Sequence, residues 1–457
     1  MALLEGTMEE TLSSRYISPG LQQIAELARR NPQWTFTTLA HHIDLKLLTE
    51  AYRRTRKDGA VGVDGQTAAA YAVNLEANLQ SLLDRMHTGS YHAPPVRRTY
   101  IPKADGRMMR PIGIPTFEDK VLQRAVAMVL EAIYESDFLG CSYGFRPGRS
   151  AHQALQALWQ GMIVMKGGWL VEVDIQSFFD ELDHSQLRGF LDQRVRDGVI
   201  RRLVHKWLKA GVLEQGEIRR PETGTPQGGV ISPLLANIYL HEVMDVWFEQ
   251  EVKPRLGGPS FLVRYADDFV LVLERERDAR RVMDVLPKRF GKFGLKLHPD
   301  KTRVVRFVRP SQRRAGDTQV PSRSNSFDFL GFTHYWGKSW RGGWVIKRRT
   351  AKSRFTRAVK GVRGWCRTNR HLPLAVQHGM LVRKLRGHFN YYGITGNYEA
   401  LARFQWEVRR TWHKWLGRRS QRGRIPWDDY ERLLRRYPLP SPRVVHSTSR
   451  PLAKPVV

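Results

Sequence analysis

Phe261-Leu-Val-Arg-Tyr-Ala-Asp-Asp-Phe-Val-Leu-Val-Leu273 sets two adjacent acids between two runs of β-branched, aromatic and aliphatic residues. Runs of that type favour strands, so the stretch reads as a β-hairpin with Ala266, Asp267 and Asp268 at its turn. Two carboxylates at a hairpin tip beside sheet strands offer hard oxygen donors suited to Mg²⁺. Asp-Asp is also ordinary turn chemistry, because short acidic side chains bond back to their own backbone. The surrounding chain decides between the two readings.

Upstream, Trp169-Leu-Val-Glu-Val-Asp-Ile175 is a strand that ends in a third carboxylate, Asp174, followed by Phe178, Phe179 and Asp180. Between this strand and the acidic tip, Gly224-Thr-Pro-Gln-Gly-Gly229 is a loop whose glycines let backbone approach a ligand closely. It leads into a helix with Ser232 as N-cap and Pro233 at the first helical position, running to about Glu249. Earlier still, Tyr91–Lys103 and Met108–Pro115 flank a turn at Asp105-Gly106, a hairpin presenting Lys103 and Arg110. Each part has a plainer reading: a solvated basic hairpin, a mere helix entry. Jointly they describe a polymerase. Asp174, Asp267 and Asp268 could converge on a pair of Mg²⁺ ions, the clamp used for in-line phosphoryl transfer. Lys103 and Arg110 would neutralise a triphosphate, with Gly224–Gly229 as the floor of a nucleotide pocket and Phe178–Phe179 as its wall.

Composition narrows the class. A chain of 457 residues has length for two or three domains. Its net charge of +31 calls for a polyanionic partner, nucleic acid before membrane. From Lys338 to Val457 the net charge is +24, so most of the excess lies in the last quarter. That quarter reads as helices over 352–362, 373–392 and 398–416. In the last of these Leu401, Phe404, Val408, Trp412 and Trp415 form a core stripe, with Arg409, Arg410 and Lys414 off it. These three, with Arg418 and Arg419, are the expected RNA-binding cations. Residues 421–457 are expected to order only in part. Cys141 and Cys366 are far apart and give neither a disulfide framework nor a zinc motif. Glu5, Glu9 and Glu10 spoil a signal-peptide start, and no apolar run is long enough to span a bilayer, so a cytoplasmic protein without membrane partners is expected. Helical periodicity also marks 21–58, 71–86, 118–134, 151–162, 185–196, 200–210 and 277–293, and strands are expected at 303–308 and 327–336.

The order and wording of six blocks resemble those of bacterial group II intron reverse transcriptase–maturases. They are Arg110-Pro-Ile-Gly-Ile-Pro115, Ser142-Tyr-Gly-Phe-Arg-Pro-Gly-Arg-Ser150, Val173-Asp-Ile-Gln-Ser-Phe-Phe-Asp180, Gly224-Thr-Pro-Gln-Gly-Gly229, Arg264-Tyr-Ala-Asp-Asp-Phe269 and Leu330-Gly-Phe332, with Leu385-Arg-Gly-His-Phe-Asn-Tyr-Tyr392 beyond them. The resemblance implies an α+β right-hand polymerase. A helical N-terminal extension covers 1–88, fingers and an antiparallel-sheet palm 89–335, a helical thumb or maturase domain 336–418, and a basic tail 419–457. It implies that Asp174, Asp267 and Asp268, with the Ile175 carbonyl, hold two Mg²⁺ ions. Lys103 and Arg110 would contact the incoming dNTP, and Gln227 and Gly228 would line its site. Phe179, or failing that Phe178, would sense the sugar, and Lys301 would be the general acid for the leaving pyrophosphate. The implied partners are a group II intron RNA, a DNA target and primer, and dNTPs; the oligomeric state is left open. No His-Asn-His endonuclease segment precedes Val457, so priming from an existing DNA 3′ end is expected. Two other readings stand beside this one: a free-standing defence or repair reverse transcriptase, and a splicing-only RNA-binding maturase.

Overall fold

A computed structural model describes residues 18–102, 108–214, 217–219, 224, 228–310, 325–419 and 423–447. The protein is α+β, with several small sheets among helices. Its strands, in chain order, are β1 (Val96–Pro102), β2 (Met109–Ile114), β3 (Gly167–Gln176), β4 (Val212–Glu214), β5 (Glu217–Arg219), β6 (Ser260–Tyr265), β7 (Asp268–Leu273), β8 (Lys296–Leu297), β9 (Arg303–Val308), β10 (Ser326–Phe329), β11 (Phe332–Lys338) and β12 (Trp344–Thr350). Two compact units emerge, each discontinuous in sequence. The first combines Met1–Ser150, Val171–Leu271 and Arg277–Arg303; the second combines Ala151–Leu170, Val272–Glu276 and Val304–Val457.

In the first unit the helix Phe117–Asp137 is the central rod. Its N-terminus is capped by Thr116, whose hydroxyl accepts from the Asp119 N–H, and Val121, Leu122, Ala125, Val129, Leu130 and Ile133 are buried along it. The expected helical region 21–58 is two helices, Pro19–Arg30 and Leu45–Arg54, because Asn31-Pro32 ends the first and Phe36 goes on to pair with Val195. The basic hairpin forms as expected: β1 and β2 are antiparallel, with Ile101 opposite Arg110, in the sheet ordered β2-β1-β4-β5. A second sheet is ordered β6-β7-β3-β8 and carries the acidic tip, with β9 paired to β3. Ser232 is not the cap of its helix. It is the first helical residue of Ser232–Leu240, Ile231 takes the cap position without a side-chain bond, and Pro233, expected at the first helical position, is the second, still within the first turn where its missing N–H costs nothing. The helix then widens into π-helical turns over His241–Val252.

The second unit is organised round one apolar core. Val359, Val362, Leu381, Leu385, Phe389, Leu401, Phe404, Val408 and Trp412 fill it, with Cys366 among them. Four of the five residues of the expected stripe on Tyr398–Leu416 are thus buried, and Trp415 packs at the edge. An additional helix, Trp427–Arg436, closes this core with Tyr430, whose hydroxyl donates to the Arg409 carbonyl at 2.8 Å. The expected single strand 327–336 is instead a hairpin. Leu330 and Gly331, at φ 48° and 80°, turn β10 back on β11, and β12 completes an antiparallel sheet. Tyr391 donates its hydroxyl to the Leu330 carbonyl at 2.8 Å, so the Tyr-Tyr pair quoted above holds this turn.

Candidate active site

The acidic tip is a tight turn at Ala266-Asp267 between β6 and β7. Ala266 has φ 57°, a left-handed conformation that costs an L-residue about 1 kcal/mol and persists only where its surroundings fix it. They do. Arg264 is fully buried and grips Asp245 in a two-pronged pair, Nε to Oδ1 at 2.7 Å and Nη2 to Oδ2 at 2.6 Å. Its remaining N–H groups reach the Ala266 carbonyl at 3.1 Å, Asn237 Oδ1 at 2.9 Å and Ser142 Oγ at 2.8 Å. One guanidinium therefore ties the turn to Ser142 and to the helix Ser232–Leu240 with its π-helical continuation. On the backbone, Arg264 N–H donates to the Cys141 carbonyl and Tyr143 N–H to the Arg264 carbonyl, at 2.8 and 2.9 Å. Gly144 lies so close behind the turn that a Cβ there would sit 2.2 Å from the Ala266 nitrogen.

Asp174 comes from β3, two residues before its end, and the Lys301 ammonium meets its Oδ2 at 2.8 Å. Asp267 is half-buried and Asp268 exposed. Burial first, and then the Asp174 charge, push the Asp267 carboxyl above its ordinary value, while the charges of Arg110 and Arg264 pull it back. The structure thus brings Asp174, Asp267, Arg110 and Lys301 into one electrostatic neighbourhood. Opposed carboxylates are hard oxygen donors that gain from a divalent cation between them. Among the described residues, however, no group of three His, Cys, Asp or Glu side chains is set to hold a metal ion, and Lys301 pairs with one oxygen of Asp174. Behind Asp174 the chain turns through Ser177 at φ 46° into the short helix Phe178–Glu181. Phe178 is buried against Tyr239, whereas Phe179 is only half-buried. Ile175 is buried and pairs with Leu297 of β8.

The ends of the glycine-rich loop are clamped on different elements. Gly224, at φ 87°, rests on the carbonyls of Phe179 and Asp180, where a Cβ would come within 2.9 Å of both, and its own carbonyl bonds His184. Gly228, at φ 123°, rests on β2, with the Gly113 carbonyl 2.5 Å from where a Cβ would stand. Beyond Gly228 the loop is held by Gln123, whose Oε1 accepts the Val230 N–H at 2.7 Å and the Ile231 N–H at 3.3 Å. Gln123 is oriented in turn by Asp119, which takes its Nε2 at 3.1 Å on one oxygen and Tyr91 and Trp207 at 2.5 and 2.7 Å on the other. Lys103 and Gln227 lie outside the described residues.

Residues 101–334, slightly more than half of the chain, match the family profile described as reverse transcriptase (RNA-dependent DNA polymerase). The chain belongs to the reverse transcriptase family. The acidic tip, Asp174 and the clamped loop all fall inside the matched span. The chain is 34% identical over 306 residues to the group II intron-encoded protein LtrA of Lactococcus lactis, covering 63% of this chain and 50% of that one. It is 35% identical over 330 residues to protein YkfC of Escherichia coli, covering 62% of this chain and 84% of that one. Nuclear intron maturase 3 of Arabidopsis thaliana is 27% identical over 203 residues, 38% of this chain and 28% of that one. The chain therefore spans about half the length of LtrA.

Of the cations expected to bind RNA, Arg410, Lys414 and Arg418 are exposed; Arg410 and Lys414 lie one turn apart on the helix Tyr398–Leu416, and Arg418 follows its end. Arg409 is half-buried, paired with Glu431 and 5.5 Å from the Trp427 ring, and Arg419 donates to the Arg370 and Leu372 carbonyls. Sequence reasoning missed Arg264, Asp245, Asn237, Gly144, Asp119 and Gln123 as supports of the site. Only for Arg264 and Gly144 was there a signal, since both sit inside the quoted blocks. No helix among the described residues is long and apolar enough to cross a membrane.

Proposed function

We propose that this protein is an RNA-directed DNA polymerase that copies a group II intron RNA into DNA and binds that RNA to assist its splicing. The observation that carries the reading is that the Asp267 carboxyl, on the buttressed turn Ala266-Asp267, feels the charges of Asp174 and Arg110 within the reverse transcriptase span. In this reading the chain is a right hand with fingers and palm over 89–335 and a thumb over 336–418. Asp174, Asp267, Asp268 and the Ile175 carbonyl would hold Mg²⁺ ions, which when bound supply Lewis-acid activation of the attacking hydroxyl and of the leaving oxygen.

The protein's own groups do the rest. Arg110 supplies a fixed positive charge for the triphosphate of a dNTP. Phe179, the less buried of the two phenylalanines, stands at the sugar while Phe178 anchors the segment. Gly228 and Gln227 floor the nucleotide site, and Lys103 adds a second cation. Lys301, already hydrogen-bonded at Asp174, hands a proton to the departing pyrophosphate. Primer extension on an RNA template with Mg²⁺ tests the polymerase half. Asp267→Asn keeps the shape of the turn and should lower the rate at least about a hundredfold; undiminished cDNA would overturn the assignment. For the RNA half, Arg410→Glu with Lys414→Glu should weaken binding to intron RNA and lower its salt dependence. Unchanged affinity across salt would remove that face.

A further inference from the structure

Between Phe329 and Tyr398 the sequence holds 15 Lys and Arg and no Asp or Glu. The hairpin β11–β12 lies inside this stretch and ends in a loop over 339–343, where the Ser339 N–H donates to the Gly343 carbonyl at 2.7 Å. Trp340 stands at the loop tip and is 89% exposed, an apolar surface that folding alone gives no reason to place in water. Cations sit over the rings of this hairpin. The Arg341 guanidinium is 4.6 Å from the Trp340 centroid, Lys338 Nζ is 4.1 Å from the Trp344 centroid, and the Arg349 guanidinium is 5.0 Å from the Tyr335 centroid. Buried His334, Ile346 and Arg348 make up the inward face of the hairpin, so Tyr335, Lys347 and Arg349 form its outward one. That face opens onto a groove of about 570 Å³ whose lining includes Tyr335, Arg349, Lys352, Lys360 and Arg403. Of the two acids there, Glu407 is already paired with Arg363 at 2.8 Å, leaving Glu399 against this set of cations.

We propose that Trp340 and the outward face of β11–β12 form a track for single-stranded nucleic acid that runs from the hairpin tip to this groove. An unpaired base stacks on Trp340, and backbone phosphates lie along Arg341, Arg349 and Lys352. The charge selects a polyanion, and the open indole selects one with free base faces, because a duplex keeps its base faces stacked. The track lies in the second unit and needs no role for the aspartates.

Fluorescence anisotropy of the full chain, with labelled oligouridine RNA, oligothymidine DNA and a blunt RNA duplex as probes, tests it. Trp340→Ala should weaken single-strand binding about tenfold, and Trp340→Phe should restore most of it. Trp340→Ala should keep the slope of log affinity against log salt, whereas Arg349→Ala should lower that slope by about one. A loss confined to RNA or to DNA supports the track and names its occupant. The unfolding midpoint of Trp340→Ala should match wild type, since the ring stands in solvent. Single-strand affinity unchanged in Trp340→Ala would overturn the track, as would duplex binding falling in the same proportion. Primer extension by the wild type, run alongside, fails separately if the polymerase reading is wrong.

Discussion

Asp119 shows how one buried group serves the site from below. It is 2% exposed, and burial pushes its carboxyl up to about 6, although hydrogen bonds from Tyr91, Trp207 and Gln123 favour the charge. The folded value lies above the unfolded one near 3.8, so the native state keeps a proton that the unfolded chain has lost. Stability from this group is therefore full below about pH 4 and falls as the pH rises to about 6, by about 3 kcal/mol. Urea unfolding of wild type and Asp119→Asn across that range should show a decline about 3 kcal/mol larger in wild type. The ionised form is also the acceptor that turns Gln123 Oε1 toward Val230. Gln123→Leu should accordingly raise the KM for dNTP by about tenfold with a smaller change in kcat, as expected when a loop shifts but the reacting groups stay. Arg264 is the other such residue. Arg264→Met leaves Asp245 charged in the interior with only His241 Nδ1, 3.9 Å from Oδ2, beside it, and should cost about 3–5 kcal/mol in urea unfolding, and adding Asp245→Leu should recover much of it.

Among elements, the hairpin β6–β7 and the loop Gly224–Gly229 depend on close backbone approach. Gly144→Ala pushes a methyl into the Ala266 nitrogen and should cost about 1–3 kcal/mol. Extension at saturating dNTP should fall about a hundredfold, because Asp267 moves with the turn. Loss of stability without loss of rate would mean the turn does not set the geometry. The hairpins β6–β7 and β1–β2 were legible because strand-type runs flank short turns. Their clamps were not, because Arg264 with Asp245 and Gln123 with Val230 are tertiary pairs that no local pattern announces. β12 escaped for a different reason: Arg348 points inward beneath the Trp159 ring, so a cation stands where alternation expects an apolar residue. The helix Trp427–Arg436 was hidden because a single tyrosine, Tyr430, is its only fully buried residue.

At the scale of the whole molecule, the net charge of +31 should make nucleic-acid affinity fall steeply with salt, whichever surface binds. The charge was plain from the sequence; its division over two discontinuous units was not, since Ala151–Leu170 joins residues more than a hundred positions downstream. The two cysteines fall one in each unit. Burial, and then the Asp245 charge, raise the Cys141 thiol well above its ordinary value, and burial pushes Cys366 up to about 12. Neither thiol is a ready nucleophile while its unit is closed. The wild-type chain therefore carries a built-in clock in each half: a thiol-reactive dye in mild denaturant should modify Cys141 as the support of the acidic turn loosens and Cys366 as the aromatic core opens, with separate rates. Equal rates at every denaturant concentration would mean that both halves open in one event.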